Sequence, residues 1–375
     1  MWKVLVGVLA LASLSAACTP TATTVSGTHA PSTVCSGDLI FSDDFDYFDL
    51  EKWQHEITLS GGGNWEFQYY SNNRSNSFTH SGLLFIRPTF TQELYGEGFL
   101  YSGHLSVDGG APAERCTNPQ WWGCERTGNP YNILNPIMSA RVRTVESFSF
   151  RYGRIEIRAK LPAGDWLWPA LWLMPAFNNY GTWPASGEID LMESRGNRDM
   201  RLNGVHIGTH EAGSTLHFGP NHALNGWDRT HWVLRNANGY NNGFHRYQME
   251  WTPDFMRFSI DDIEFGRVTP PNGGFWELGG FSNFPNTDNP WRHATKMAPF
   301  DEKFYIIMNV AVGGTNGFFP DGVTNPSPKP WNNQSPTAPR DFWQARGAWE
   351  PTWNLNHNDG QDASLQVDYV RVWAL

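Results

Sequence analysis

Charge is scarce in this chain. Only 17% of its 375 residues are Asp, Glu, Lys or Arg, and 37 acidic residues outnumber 27 basic ones, for a formal charge of -10. A balance of that sign repels polyanions, which excludes nucleic acid and acidic membrane surfaces as natural partners and leaves neutral molecules as the better fit. Long Ala/Leu/Glu/Lys runs are missing, which excludes a helical bundle and a barrel of alternating strands and helices. Past the amino terminus no stretch reaches 18 apolar residues, too little for a membrane-spanning helix, so a soluble chain without a membrane partner, and a monomer, is expected. Cysteine is limited to four, in no spacing that resembles a zinc site. His206, His210 and His217 accordingly read as hydrogen-bonded site or surface residues rather than a metal cluster.

Glycine, proline and aromatic residues are plentiful: 37 Gly and 25 Pro punctuate stretches rich in Phe, Tyr, Trp, Val and Ile. Short alternating segments recur, among them Leu83 to Ile86, Arg154 to Lys160, Met256 to Ile260 and Leu365 to Trp373, the pattern of half-buried antiparallel strands. Long loops rich in Gly, Pro, Asn and Trp lie at 101–135, 176–186, 219–244 and 313–345, and loops of such length are usually functional. These features predict an all-β fold, a sandwich of two curved antiparallel sheets with a loop-walled groove. The 19 Trp fit two uses, stacking on the flat apolar sides of sugar rings or filling a Trp-rich core.

Met1-Trp2-Lys3, the apolar run Val4 to Leu14 and the small residues Ser15-Ala16-Ala17 read as a secretory signal peptide over residues 1–17. Residues 18–36 read as a polar, linker-like segment and 37–375 as one continuous domain. An extracellular location follows, with lipid attachment at Cys18 as the alternative. Four cysteines in a secreted chain imply disulfides, with three connectivities open. The short loop between Cys116 and Cys124 favours their pairing, which leaves Cys18 with Cys35. Asn73-Arg74-Ser75 and Asn333-Gln334-Ser335 are glycosylation sequons.

The sharpest local feature is Ser186-Gly187-Glu188-Ile189-Asp190-Leu191-Met192-Glu193-Ser194, three carboxylates within six residues of a strand-forming segment. In a regular strand Glu188 and Asp190 share a face while Glu193 points to the other. One extra residue restores the shared face, which predicts a β-bulge at about Leu191-Met192. Three acids on one face repel, so at least one should hold a proton near neutral pH, the condition a general acid needs; a solvated acidic strand is the bland alternative. With the bulge, the two glutamate Cα atoms stand roughly 13 Å apart along the strand, a span long side chains can close. A retaining sugar hydrolase needs its carboxyl groups about 5 to 5.5 Å apart.

The block Gly187 to Glu193 resembles the signature of glycoside hydrolase family 16, in the bulged subgroup that contains the laminarinases. Further blocks agree in order: Phe45-Asp46, Tyr152 to Pro162, Gly164 to Trp172, Ser214 to Pro220, Asn309 to Gly314 and Gln366 to Trp373. The whole is similar to invertebrate-type β-1,3-glucanases and the related glucan-recognition proteins, over essentially residues 37–375. This resemblance implies a β-jelly-roll whose concave face binds a β-1,3-glucan. Glu188 then matches the nucleophile, Glu193 the general acid/base, Asp190 the middle acid and His217 a cleft histidine. It makes Trp166, Trp168 and Trp183 stacking candidates, and Arg154 and Asn197 candidates for sugar hydroxyls, while Trp172 is expected in the core. It implies no cofactor for catalysis but a structural calcium, with Asp44, Gly82 and Asp368 as corresponding positions. The implied activity is retaining, endo-acting hydrolysis of laminarin-type β-1,3-glucan. Rivals are a non-catalytic β-1,3-glucan pattern-recognition protein and a transglycosylase on the same scaffold. A change of substrate to mixed-linkage glucan is disfavoured by Met192, which the regular-strand subgroup would lack.

Overall fold

Alternation in Gly153–Lys160 sends Ile155, Ile157 and Ala159 into the interior and leaves Arg154 and Arg158 outside, as the period-2 pattern requires. The computed structural model describes residues 18–375; the signal-peptide assignment to 1–17 lies outside them. Among the described residues two antiparallel sheets stack face to face. One, of eight strands, runs Ile263–Val268, Met256–Ile260, His245–Trp251, Gly153–Lys160, Leu365–Trp373, Leu83–Ile86 and Ser77–His80, with Leu39–Asp43 also pairing to Leu365–Trp373. The other, of nine strands, has Phe304–Val312, Leu167–Pro175, Glu188–Ser194 and Glu211–His217 side by side at its centre. Between them Ile155, Ile157, Val370 and Val372 meet Leu171, Leu173, Ile189 and Met308 in one continuous core. Among the described residues helices are short, the longest α-helix being Ala338–Gln344. The all-β jelly-roll sandwich is the architecture predicted.

The tryptophans are largely structural. Trp53, Trp166, Trp251, Trp343, Trp349 and Trp353 are fully buried, so the core use accounts for many of the indoles. Both disulfides pair as expected, Cys18 with Cys35 and Cys116 with Cys124, and the former occupies the sulfur that a lipid would need. The segment 18–36 is not a linker. Thr24–Ser26 pairs with Ser149–Arg151 at the edge of the nine-stranded sheet, Gly37 N–H donates to Ala374 O and Leu375 N–H to Thr23 Oγ1. Its polar composition hid this because an edge strand is held by backbone bonds, which any side chain allows. Of the two sequons, Asn333 donates its amide to Phe319 O at 3.1 Å and accepts from Lys329 Nζ at 2.8 Å. Its nitrogen is therefore committed within the fold, whereas Asn73 only accepts, from Ser75 N–H.

Candidate active site

Glu188–Ser194 lies between Leu167–Pro175 and Glu211–His217, and both ladders shift register within it. Asp190 stands opposite Thr215 and Glu193 opposite Gly213, so Leu191 and Met192 together face the single residue Ser214. This is the bulge that the strand arithmetic demanded. The carbonyl it frees at Leu191 accepts a hydrogen bond from Ser214 Oγ at 2.7 Å, which satisfies a group that would otherwise be costly to bury. Ile189, Leu191 and Met192 are buried in the core, and the three acids share the opposite side.

Each acid has its own partner. Trp183 Nε1 donates to Glu188 Oε2 at 2.8 Å, and Trp168 Nε1 donates to Glu193 Oε1 at 2.9 Å. His217 Nε2 stands 3.2 Å from Asp190 Oδ2 and 4.0 Å from Glu188 Oε1, while Asn225 amide meets its Nδ1 at 2.8 Å. Burial, reinforced by the charges of Glu188 and Glu193, pushes the Asp190 carboxyl well above the usual range. Burial also raises Glu193, against the pull of His217 and the Trp168 hydrogen bond. Burial alone would lower His217, but its contact with Asp190 and the negative charges of all three acids outweigh this and lift it to about 9. The cluster therefore carries protons at neutral pH, with Glu193 biased towards its acid form.

The floor beside the acids continues across the sheet. Trp172 pairs with Asp190 in register, is half-buried rather than in the core, and donates to Asn309 Oδ1 at 2.7 Å. Asn309 donates to Tyr70 OH at 3.1 Å, and the Arg141 guanidinium lies over both the Tyr70 and Trp172 rings. The expectation of a core position for Trp172 fails, although a signal against it existed: it follows Trp168 by an even number of residues and so shares its face. Asn225 lies in a loop, where no periodicity marks it.

Several expectations fail on position. Trp166 is fully buried against Phe319 and Trp331, so its ring is core. Trp168 does reach the acids, yet one face of its ring is covered by Phe318, with centroids 3.8 Å apart, which makes it a support for Glu193 before anything else. Asn197 is fully buried, with its oxygen on Trp166 N–H and its amide on Asp165 and Asn325, leaving nothing for a hydroxyl. Arg154 lies on the outer face of the eight-stranded sheet over Trp373, on the far side of the sandwich from the acids. At the positions corresponding to a calcium site, Asp44 is paired with Arg371 and Asp368 with Arg158.

Residues 131–287, which include all three acids, match the model of the glycosyl hydrolases family 16. The chain is 50% identical over 340 residues to a "Beta-1,3-glucan-binding protein" of Penaeus monodon, covering 90% of each protein. It is 33% identical over 351 residues to "Gram-negative bacteria-binding protein 1" of Drosophila melanogaster, covering 91% of this chain and 65% of that one. Among solved structures, the laminarinase from Rhodothermus marinus superposes with a TM-score of 0.54 at 28% identity, over 90% of this chain and 98% of that one. Together with the bulged acidic strand, these likenesses establish that the chain belongs to glycosyl hydrolase family 16.

Proposed function

We propose that the protein is a secreted, retaining endo-β-1,3-glucanase acting on laminarin-type glucans. The observation that carries this reading is the bulge, which turns Glu188, Asp190 and Glu193 to one side and gives each glutamate a separate indole donor. In the first step a Glu188 oxygen attacks the anomeric carbon while Glu193 delivers its proton to the departing glycosidic oxygen, forming a glycosyl ester on Glu188. In the second, Glu193 takes a proton from water, whose oxygen attacks the same carbon and frees Glu188. The upward bias of Glu193 suits it to the acid role, and His217, held by Asp190, sets a positive charge among the three acids. The β-1,3-glucan substrate is supported by the names of the relatives and by the laminarinase likeness.

A second reading, glucan binding without turnover, is favoured by those same relatives, which are named as binding proteins. Against it stand both glutamates with their donors in place. Reducing-sugar release from laminarin, compared with lichenan, decides between them, with Glu188→Gln and Glu193→Gln as controls. The hydrolase reading expects laminarin cleavage that both substitutions abolish. Laminarin binding without any release of reducing ends would establish the recognition protein instead.

A further inference from the structure

A second aromatic surface stands apart from the acids. Trp65, Trp121 and Trp122 are 48%, 45% and 70% exposed, and all three have left-handed backbones, with φ of 52°, 51° and 57°. A bulky residue in that region is strained and persists only where its surroundings hold it. Here they do. The Cys116–Cys124 disulfide closes the loop, and Arg126 donates to Leu59 O at 2.9 Å, Trp121 O at 3.0 Å and Asn135 Oδ1 at 2.8 Å. Gly63 leaves room for the Trp121 ring, whose edge lies 3.4 Å from where a Cβ would stand. No core burial rewards these conformations, since the indoles face solvent.

Trp65 and Trp122 line a cavity of about 820 Å³, within the roughly 300–1,000 Å³ range of small-ligand sites. Its wall includes Asn132 and Gln334, exposed residues whose side-chain amides make no hydrogen bond among the described residues. The charges present are spoken for: Arg126 is spent on oxygens of the fold, and His104 faces Glu125 at 3.8 Å. What remains on offer is indole faces and amides. That combination suits a neutral, polyhydroxylated ring better than an anion, which would want an uncommitted cation. The wall adjoins the acid side of the molecule through a chain of contacts. Asn316 amide donates to Asn64 Oδ1 at 3.1 Å, Phe318 N–H donates to Asn316 Oδ1 at 3.1 Å, and Phe318 stacks on Trp168, the donor to Glu193.

We propose that the Trp65/Trp122 cavity is a second carbohydrate site, separate from the acids, that holds a distant hexopyranose stretch of a long glucan chain. This rests on the glucan reading above. The test is calorimetric titration of the full chain carrying Glu188→Gln, so that no turnover occurs, with a linear β-1,3-glucan heptasaccharide and trisaccharide. Adding Trp122→Ala should weaken the heptasaccharide about tenfold and leave the trisaccharide unchanged, and Trp122→Phe should restore most of the loss. Gln334→Ala, at an exposed side chain, should weaken the heptasaccharide in the same direction. Equal heptasaccharide affinity with and without Trp122 overturns the proposal, as does an equal loss for both lengths. A Glu188→Gln parent that binds neither sugar overturns the glucan reading itself, and this proposal with it.

Discussion

The Trp168 indole N–H donates to Glu193 Oε1 at 2.9 Å while its ring lies flat on Phe318. One side chain thus fixes a carboxylate oxygen with its edge and is itself fixed by its face, so the orientation of Glu193 is set by packing two residues away from the chemistry. Trp168→Phe keeps an aromatic ring against Phe318 and deletes the donor. Hydrogen bonds to charged acceptors are worth about 1.5–3 kcal/mol, so kcat on laminarin should fall at least about tenfold with the circular dichroism spectrum unchanged. Because that bond lowers Glu193, its loss should also move the alkaline limb of the pH profile upward. An unaltered kcat would show that Glu193 needs no such support.

His217 supplies the cation among three acids, and the sign of its removal can be worked out. Its positive charge lowers both Asp190 and Glu193, so in His217→Asn both carboxyls rise further. The acid form of Glu193 then survives to higher pH. The alkaline limb of kcat should shift upward, and activity at neutral pH should drop because Asp190 and Glu193 hold their protons more tightly. An unshifted alkaline limb would mean that the imidazole is uncharged in the working enzyme.

How far the sequence reaches depends on the kind of contact. Period-2 alternation located the strands, and the odd spacing of Glu188 and Glu193 forced a bulge, because both follow from local geometry that side-chain order encodes. Trp166 and Trp168 have the same composition and lie on the same segment, yet one is core and the other touches Glu193. Their fate depends on Phe319, Trp331 and Phe318, which arrive from about 150 residues downstream by topology that alternation does not record. Arg154 illustrates the same limit, since an outward position on a strand does not say which of two sheets the strand joins. The role of Asn197 as a bracket for Trp166 and Asp165 was equally invisible, as loop contacts carry no period.

Spacing along the strand gives a sharper test of the bulge than any single substitution. Deleting Met192 leaves Glu188, Asp190 and Glu193 at even spacing in a regular strand, so all three still share a face. Inserting one alanine after Asp190 also gives even spacing, but in a regular strand it carries Glu193 roughly 7 Å farther from Asp190 than the deletion does, at about 3.3 Å per residue. The deletion should cost about 2–5 kcal/mol for the lost buried side chain yet retain measurable laminarin cleavage. The insertion should abolish cleavage, since the two glutamates then stand too far apart to flank one linkage. Equal activity in the two variants would refute the argument that the bulge sets the separation of the glutamates.

Asp165 offers a stability test away from the acids. It is 4% exposed, and burial lifts its carboxyl from 3.8 to about 6 despite hydrogen bonds from Asn325 and Asn197. A carboxyl raised in the folded state binds its proton more tightly there than in the unfolded chain, so its effect on stability is favourable at low pH and is lost as pH rises through about 6. Two pKa units correspond to about 3 kcal/mol. His55 slopes the other way, because burial, helped by Arg74, depresses it to about 3, which removes stability as pH falls below its ordinary value of 6.5. The two opposing terms overlap in the whole-protein profile. The difference between the wild-type chain and Asp165→Asn cancels the histidine and isolates the carboxyl. Urea unfolding at pH 4 and pH 7.5 should show the wild-type chain losing roughly 2–3 kcal/mol relative to the variant as pH rises. A difference that is flat with pH, or of opposite sign, would mean that Asp165 stays ionised in the folded protein.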